Sequence, residues 1–437
     1  MSSKGSTRFA QARRQLAPAA LVLTLLFLAF EIVTRTAAVS LEHNDPELAL
    51  FFNPHDAVAR LVLADRLIEP PPAAPGSPPA KVSAENLAKA RALAEEALCD
   101  EPLAPGVLTI LGRIAEMQGD QKRAEALMEL VGQRALRDYY AQAWLANNAL
   151  KKGDFAGVLP HLDAILRTQP DMADRPLQLL AAFISVPRAL FPLEELLKTD
   201  PPWRPWFLQE VAAKSSDRAA LERLYADLAA GAHPPTDKEL GFYLDRLIKD
   251  GSYDKAYQVW HATLSAPQAA DQALLYDGNF QYPLSGAAFD WQIQEALGAD
   301  VDVAGGSLRI EFSGARVDFK NVSHLLVLPA GSYRLSGEVE AEELHTERGL
   351  WWRVFCLGHP DASLGETELV ASSTPWRPFD LTFQIPAESC PAQVLQLELP
   401  ARVALEKRIE GVVSYRNMAV SPVRQADDET SGSPNLR

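Results

Sequence analysis

Between residues 90 and 170 the chain resembles itself at an offset of 34 positions. Gly119-Asp120 recurs as Gly153-Asp154, Leu111 as Leu145, Gly112 as Ala146, Ala124 as Val158, Met128 as Leu162 and Val131 as Ile165. One period earlier the same register falls on Ala90, Ala94 and Ala97, and Pro102 has its counterpart two periods later at Pro170. A period of this length is long enough for a pair of helices and too short for an independent domain. One such pair cannot bury its apolar face alone, so neighbours must stack into a solenoid with a concave face.

These positions resemble the tetratricopeptide repeat. In that family a small residue lies where the first helix approaches the second, matched by Gly112 and Ala146. Small or apolar residues recur early in the second helix, matched by Ala90, Ala124 and Val158, and a proline closes the unit, as at Pro102 and Pro170. A further unit with Leu240, Tyr243, Leu244 and Leu247 in its first helix and Gly251, Tyr253, Ala256 and Tyr257 after it stands out of phase with the others. The pattern departs from the family at Leu136, where proline is usual, and in lacking the early tryptophan, Trp144 being two positions away. Residues 172–235 read as helices without the consensus, broken at Pro187, Pro192, Pro201, Pro202 and Pro205. The resemblance implies a helical repeat domain over residues 50–274 that binds envelope or secretion proteins; a plain spacer is the competing reading. Within the first unit, Pro70, Pro71, Pro72, Pro75, Pro78 and Pro79 predict an extended loop between its helices, solvated or serving as a docking strap.

The N-terminus bears on the compartment. Lys4, Arg8, Arg13 and Arg14 lie in a stub, residues 1–15, that holds no acid. The apolar run from Leu16 to Val33 follows, interrupted by Thr24 and Glu31. As a helix it would rise about 27 Å, close to the thickness of a bilayer core. The basic stub places itself in the cytoplasm and the rest of the chain beyond the membrane. Residues 16–34 are thus expected to be a single transmembrane anchor in the inner membrane, with the bulk of the protein periplasmic. A cleaved signal peptide remains the alternative, with Thr36-Ala37-Ala38 as its small-residue site; the length of the run and the charge of Arg35 favour the anchor. Of the net charge of −15, the stub contributes +4, leaving −19 on the remainder. That acidity argues against a nucleic-acid partner, which would call for a basic face.

After Leu275 the period changes from helical to alternating. Strands are predicted at Ser307–Phe312, Ser323–Leu328, Ser332–Val339, Leu350–Cys356, Phe379–Ile385, Val394–Leu399 and Ile409–Tyr415, separated by turns such as Pro329-Ala330-Gly331. Short strands at this density indicate an antiparallel sandwich over residues 275–422. Tyr276-Asp277-Gly278-Asn279-Phe280 followed by Trp291, Gly331-Ser332-Tyr333, and Trp376-Arg377-Pro378-Phe379 resemble elements of galactose-binding-like jelly rolls, a family that includes many carbohydrate-binding modules. The resemblance implies a jelly roll and a glycan partner. Aromatic faces would stack on pyranose rings, with Tyr282, Trp351, Trp352 and Arg353 as candidate contacts. Trp351 and Trp352 are adjacent, so in a strand they point to opposite faces. Packing at the core or the sandwich edge is the alternative for each aromatic.

Cys99 reads as a small buried residue of a repeat helix, whereas Cys356 and Cys390 fall in the sandwich, where an oxidising compartment would allow a disulfide. The histidines are scattered without metal-ligand spacing, and neither a phosphate-cradling loop nor a nucleophile elbow occurs. No metal, cofactor or catalytic residue is therefore assigned. The expected fold is multidomain, α then β: anchor, tetratricopeptide-like solenoid, β-sandwich, and a disordered tail over residues 423–437. This arrangement resembles proteins of bacterial exopolysaccharide assembly and export, which implies a non-catalytic, membrane-anchored scaffold. An enzyme acting on envelope polysaccharide through two carboxylates, of hydrolase or lyase type, and a structural spacer are the alternatives.

Overall fold

The computed structural model describes residues 4–70, 81–270 and 273–423, with side chains from Leu21 onward. The proline run over 71–80 and the tail from residue 424 lie outside the described residues. The chain is helical first and β second, and it divides into two compact units, Met1–Trp203 and Arg204–Arg437.

The first unit opens with α1 (Lys4–Leu41), whose segment Leu21–Leu41 is long and apolar enough to cross a membrane. Its side chains from Leu21 to Phe30 are exposed, as are Ile32 and Val33. A short helix, α2 (Pro46–Phe52), follows. Three antiparallel pairs come next: α3 (Ala57–Ile68) with α4 (Ala84–Asp100), α5 (Pro105–Met117) with α6 (Gln121–Arg134), and α7 (Tyr139–Lys151) with α8 (Phe155–Thr168). The two Gly-Asp dipeptides make the turns inside the second and third pairs. Gly119 and Gly153 take left-handed φ of +81° and +74°, which ends one helix without steric cost. Asp120 and Asp154 then cap the next helix, their carboxylates accepting from the N–H of Arg123 at 3.1 Å and Gly157 at 2.9 Å.

The small residues explain how closely the pairs pack. Ala90, Gly112, Ala124, Ala146 and Val158 are all buried. A Cβ on Gly112 would come within 2.7 Å of Met128 Cε, so the α5–α6 crossing is built around its absence. Cys99, expected to be buried, is exposed. The buried arc of α4 is Leu87, Ala90, Ala94 and Ala97, and a residue two positions past Ala97 falls about 200° around the helix, on the solvent side. The unit ends with α9 (Asp174–Phe183) and α10 (Pro187–Leu197). Pro187 starts α10 as expected, but Pro192 lies inside it rather than at a break.

The second unit contains α11 (Arg204–Lys214), α12 (Arg218–Ala229), α13 (Asp237–Lys249), α14 (Tyr253–His261), α15 (Ala266–Ala270) and the sandwich. Ala256 is fully buried in α14. A buried bidentate ion pair ties α11 to α13: Arg204 Nε and Nη2 donate to the two Glu239 oxygens at 2.9 and 2.8 Å. Burial by itself would raise the Glu239 carboxyl; Arg204 and the Thr236 backbone N–H outweigh it and hold the group below the usual carboxylate range.

The strands are β1 (Gln292–Ile293), β2 (Ala299–Ala304), β3 (Ser307–Arg316), β4 (Val322–Leu326), β5 (Gly331–Cys356), β6 (Ser363–Glu366), β7 (Val370–Ile385), β8 (Gln393–Glu398) and β9 (Arg408–Pro422). All pair antiparallel. One sheet runs β1-β4-β8 and then the C-terminal half of β5 with β6; the other runs β7, the N-terminal half of β5, β9, β3 and β2. The two strands predicted at Ser332–Val339 and Leu350–Cys356 are therefore one. Register shifts between Ala341 and Leu350 let it bend from one sheet into the other without ending. β2 was not predicted: Val301 and Val303 alternate inward, but Asp300 and Asp302 are weak strand formers that mask the signal. Between the sheets lies a core with Trp291, Trp352, Tyr415, Phe319 and Phe312 at its centre. Cys356, at the end of β5, is disulfide-bonded to Cys390 in the loop before β8.

Candidate functional site

The outer face of the β1-β4-β8-β5-β6 sheet collects polar and aromatic groups that are far apart in sequence. On β5, Trp351 and Arg353 point to the same side because strand side chains alternate. The antiparallel register sets Glu398 opposite Trp351, Gln396 opposite Arg353, Ser323 opposite Gln396, and Glu366 of β6 on the other flank of Arg353. Arg353 sits between two carboxylates, 3.8 Å from Glu366 and 3.6 Å from Glu398. Its guanidinium also donates to the Pro360 carbonyl and lies 5.3 Å from the Phe355 ring centroid. The Gln396 amide donates to Lys320 O at 3.0 Å. Trp351 is half-buried with its Nε1 inside, so the exposure of its ring is of carbon.

One end of this face is covered. Leu325 and Val327 lie on the same side as Ser323 and pack against a cluster formed by Trp260 of α14 and Phe289. Trp260 meets Tyr276 edge-on at 5.0 Å and Phe289 at 5.5 Å, and Tyr257 meets Phe289 edge-on at 5.5 Å. This aromatic seal fixes α14 on the sheet and leaves the Trp351 end uncovered by it.

The four candidate contacts thus separate. Trp351 and Arg353 share the open face. Trp352 is 1% exposed and packed between Trp291, tilted to it, and Tyr415, edge-on to it, so its assignment as a glycan contact is corrected: its neighbour took the outward position and left it to the core. Tyr282 stacks on Tyr276 at 6.2 Å and belongs to the aromatic seal. Glu366, Gln396 and Glu398 were missed, because only the strand register brings them beside Trp351.

Behind the face, His324 points inward from β4, edge-on to Trp291 at 5.0 Å. Burial pushes its imidazole down to about 4, against weaker opposing hydrogen bonds to the Leu325 and Tyr276 backbone. On the helical side, α12, α13 and α14 enclose a groove of about 540 Å³. Its walls include Tyr225, Tyr243, Leu240, Pro234 and Val259, and Lys255 pairs with Glu222 at 2.7 Å across it. Tyr225 and Tyr243 stack at 4.5 Å, and burial raises the Tyr243 hydroxyl to about 12.

No protein-family model matches the chain, and no curated protein matches it. Solved structures do. A CBM4 structure is 16% identical at a TM-score of 0.27, covering 34% of this chain and 99% of its own. A TmCBM61 structure in complex with β-1,4-galactotriose is 15% identical at 0.25, covering 35% and 100%. Naa15/Naa10 bound to HypK-THB is 16% identical at 0.27 over 55% of this chain, which spans 37% of that one. Among the matching structures are thus carbohydrate-binding modules and the Naa15/Naa10 complex with HypK-THB.

Proposed function

We propose that the chain is a membrane-anchored, non-catalytic scaffold that holds glycan on the outer face of the β1-β4-β8-β5-β6 sheet and proteins on its helical pairs. The observation that supports this reading is the company of Trp351. A half-buried indole offers an apolar plane for the C–H face of a pyranose, and Glu398, Gln396, Glu366 and Arg353 surround it with acceptors and donors for hydroxyl groups. The carboxylates favour binding over hydrolysis. Glu366 and Glu398 both flank the same arginine, whereas the acid and the base of a glycoside-cleaving pair need unlike surroundings.

The basic stub and the exposed apolar segment of α1 support an inner-membrane anchor with the rest of the chain periplasmic. The resemblance to exopolysaccharide-associated proteins suggests the glycan is an exported polysaccharide. The test is a glycan array probed with the full chain in detergent, followed by titration of the best ligand. Trp351→Ala is expected to weaken binding about 10-fold, the loss of one stacked ring. No glycan bound by the intact protein, or unchanged affinity in the variant, would count against the site. Release of shortened oligosaccharides would favour the enzyme.

A further inference from the structure

The first helix outlasts its apolar run. Past Val33 it continues eight residues to Leu41, about 12 Å of additional rise. A short turn at residues 42–45 reverses the chain, and α2 packs back along α1: Ala38 and Ala49 are both fully buried and share one cluster with Leu41 and Leu50. Ala49 therefore lies near the level of Ala38, and each further residue of α2 travels about 1.5 Å back toward the apolar run. Phe52 comes to about the level of residue 35, within one helical turn of Val33.

The composition of α2 changes along that path. Its distal end carries Asp45, which caps the helix, and Glu47. Its returning end carries Leu48, Phe51 and Phe52, exposed at 41%, 78% and 37%, with the two rings in edge contact at 5.5 Å. Glu31 and Arg35 pair on α1 at 3.2 Å, at the end of the apolar run. The acids thus lie farthest from the run and the bare aromatics nearest to it, which is the polarity of a segment lying in a membrane interface.

We propose that Leu48, Phe51 and Phe52 seat in the headgroup–acyl boundary of the leaflet through which α1 emerges, so that the partner of this patch is a lipid surface. The inference rests on the apolar run ending at Val33, and not the whole of Leu21–Leu41, being the part of α1 inside the bilayer. It makes the attachment two-pointed: α1 crosses, α2 lies against the surface, and α3 is held to both through Ala59, which completes the Ala38–Ala49 cluster.

The test uses the full chain reconstituted in phosphatidylcholine–phosphatidylglycerol vesicles. An environment-sensitive fluorophore is placed through Phe51→Cys in a Cys99→Ser background, the other two cysteines being disulfide-bonded. A control label enters through Leu136→Cys, an exposed position in the α6–α7 turn. Quenching by lipids carrying a nitroxide high on the acyl chain is read for each, and alkaline carbonate extraction of the same vesicles reports the anchor. The expected result is retention of the protein, a blue-shifted emission at position 51, and quenching there at least threefold stronger than at position 136. Retention with equal, weak quenching at both positions overturns the lipid assignment while leaving the anchor intact. A blue shift seen only in native membranes, and not in purified lipid, overturns it in favour of a protein partner. Release by carbonate overturns the anchor and this inference together.

Discussion

Adjacent tryptophans show how far a single residue can be read. Alternation along a strand requires Trp351 and Trp352 to part, but it does not say which goes inward; that choice is made by the partners that the register brings to each face. Trp352→Ala opens a cavity beside Trp291 and Tyr415, and we expect it to cost about 3–5 kcal/mol in chemical denaturation. His324 makes a second prediction at this scale. Its buried imidazole is neutral down to about 4, while in the unfolded chain it takes up a proton near 6.5. Its contribution to stability is complete above about pH 6.5 and is lost as pH falls toward 4, on the order of 3 kcal/mol in all. Urea midpoints at pH 7.5 and 4.5 should therefore differ less for His324→Gln than for the parent. An equal difference in both would remove His324 from the account.

At the scale of elements, the helical pairs were largely legible. Close crossings demand small side chains and tight turns demand glycine, so Gly112, Ala146 and the Gly-Asp turns carry their structural reasons in the sequence. Cys99 was misread because a repeat register marks which turn a residue is on more clearly than which side of the helix it faces. The Arg204–Glu239 pair had no sequence signal, since its partners lie on different helices 35 residues apart and either could have been a surface charge. Arg204→Met leaves Glu239 buried without its counterion, and we expect a loss of about 3–5 kcal/mol; adding Glu239→Met should restore most of it. Failure of the double variant to recover would mean that the pair contributes through the His233 and Thr236 contacts it also makes.

On the scale of the whole molecule, sequence period suggested a change of architecture near residue 275, whereas the compact units part at Trp203 and Arg204. The difference lies in the aromatic seal: Trp260 and Tyr257 on α14 and Phe289 beside the sandwich are individually ordinary, and their convergence is a tertiary fact. Two units with separate cores predict unfolding in more than one step. Reduction of Cys356–Cys390, which closes a 34-residue loop, should lower only one of these transitions, by about 3–4 kcal/mol. A single coincident transition, or an equal shift in both, would show that the units unfold as one.

The passage of β5 through both sheets bears on recognition. Trp351 and Arg353 are continuous in backbone with Tyr333–Ala341, which pair with β7 on one side and β9 on the other. The platform is therefore tied through its own strand to the opposite layer, across the register shifts between Ala341 and Leu350 where β5 bends. For the binding proposed there, a surface held in this way would lose little affinity to ordering the receptor. On the glycan-holding reading proposed above, a stiff face would favour polymers whose own curvature fits it.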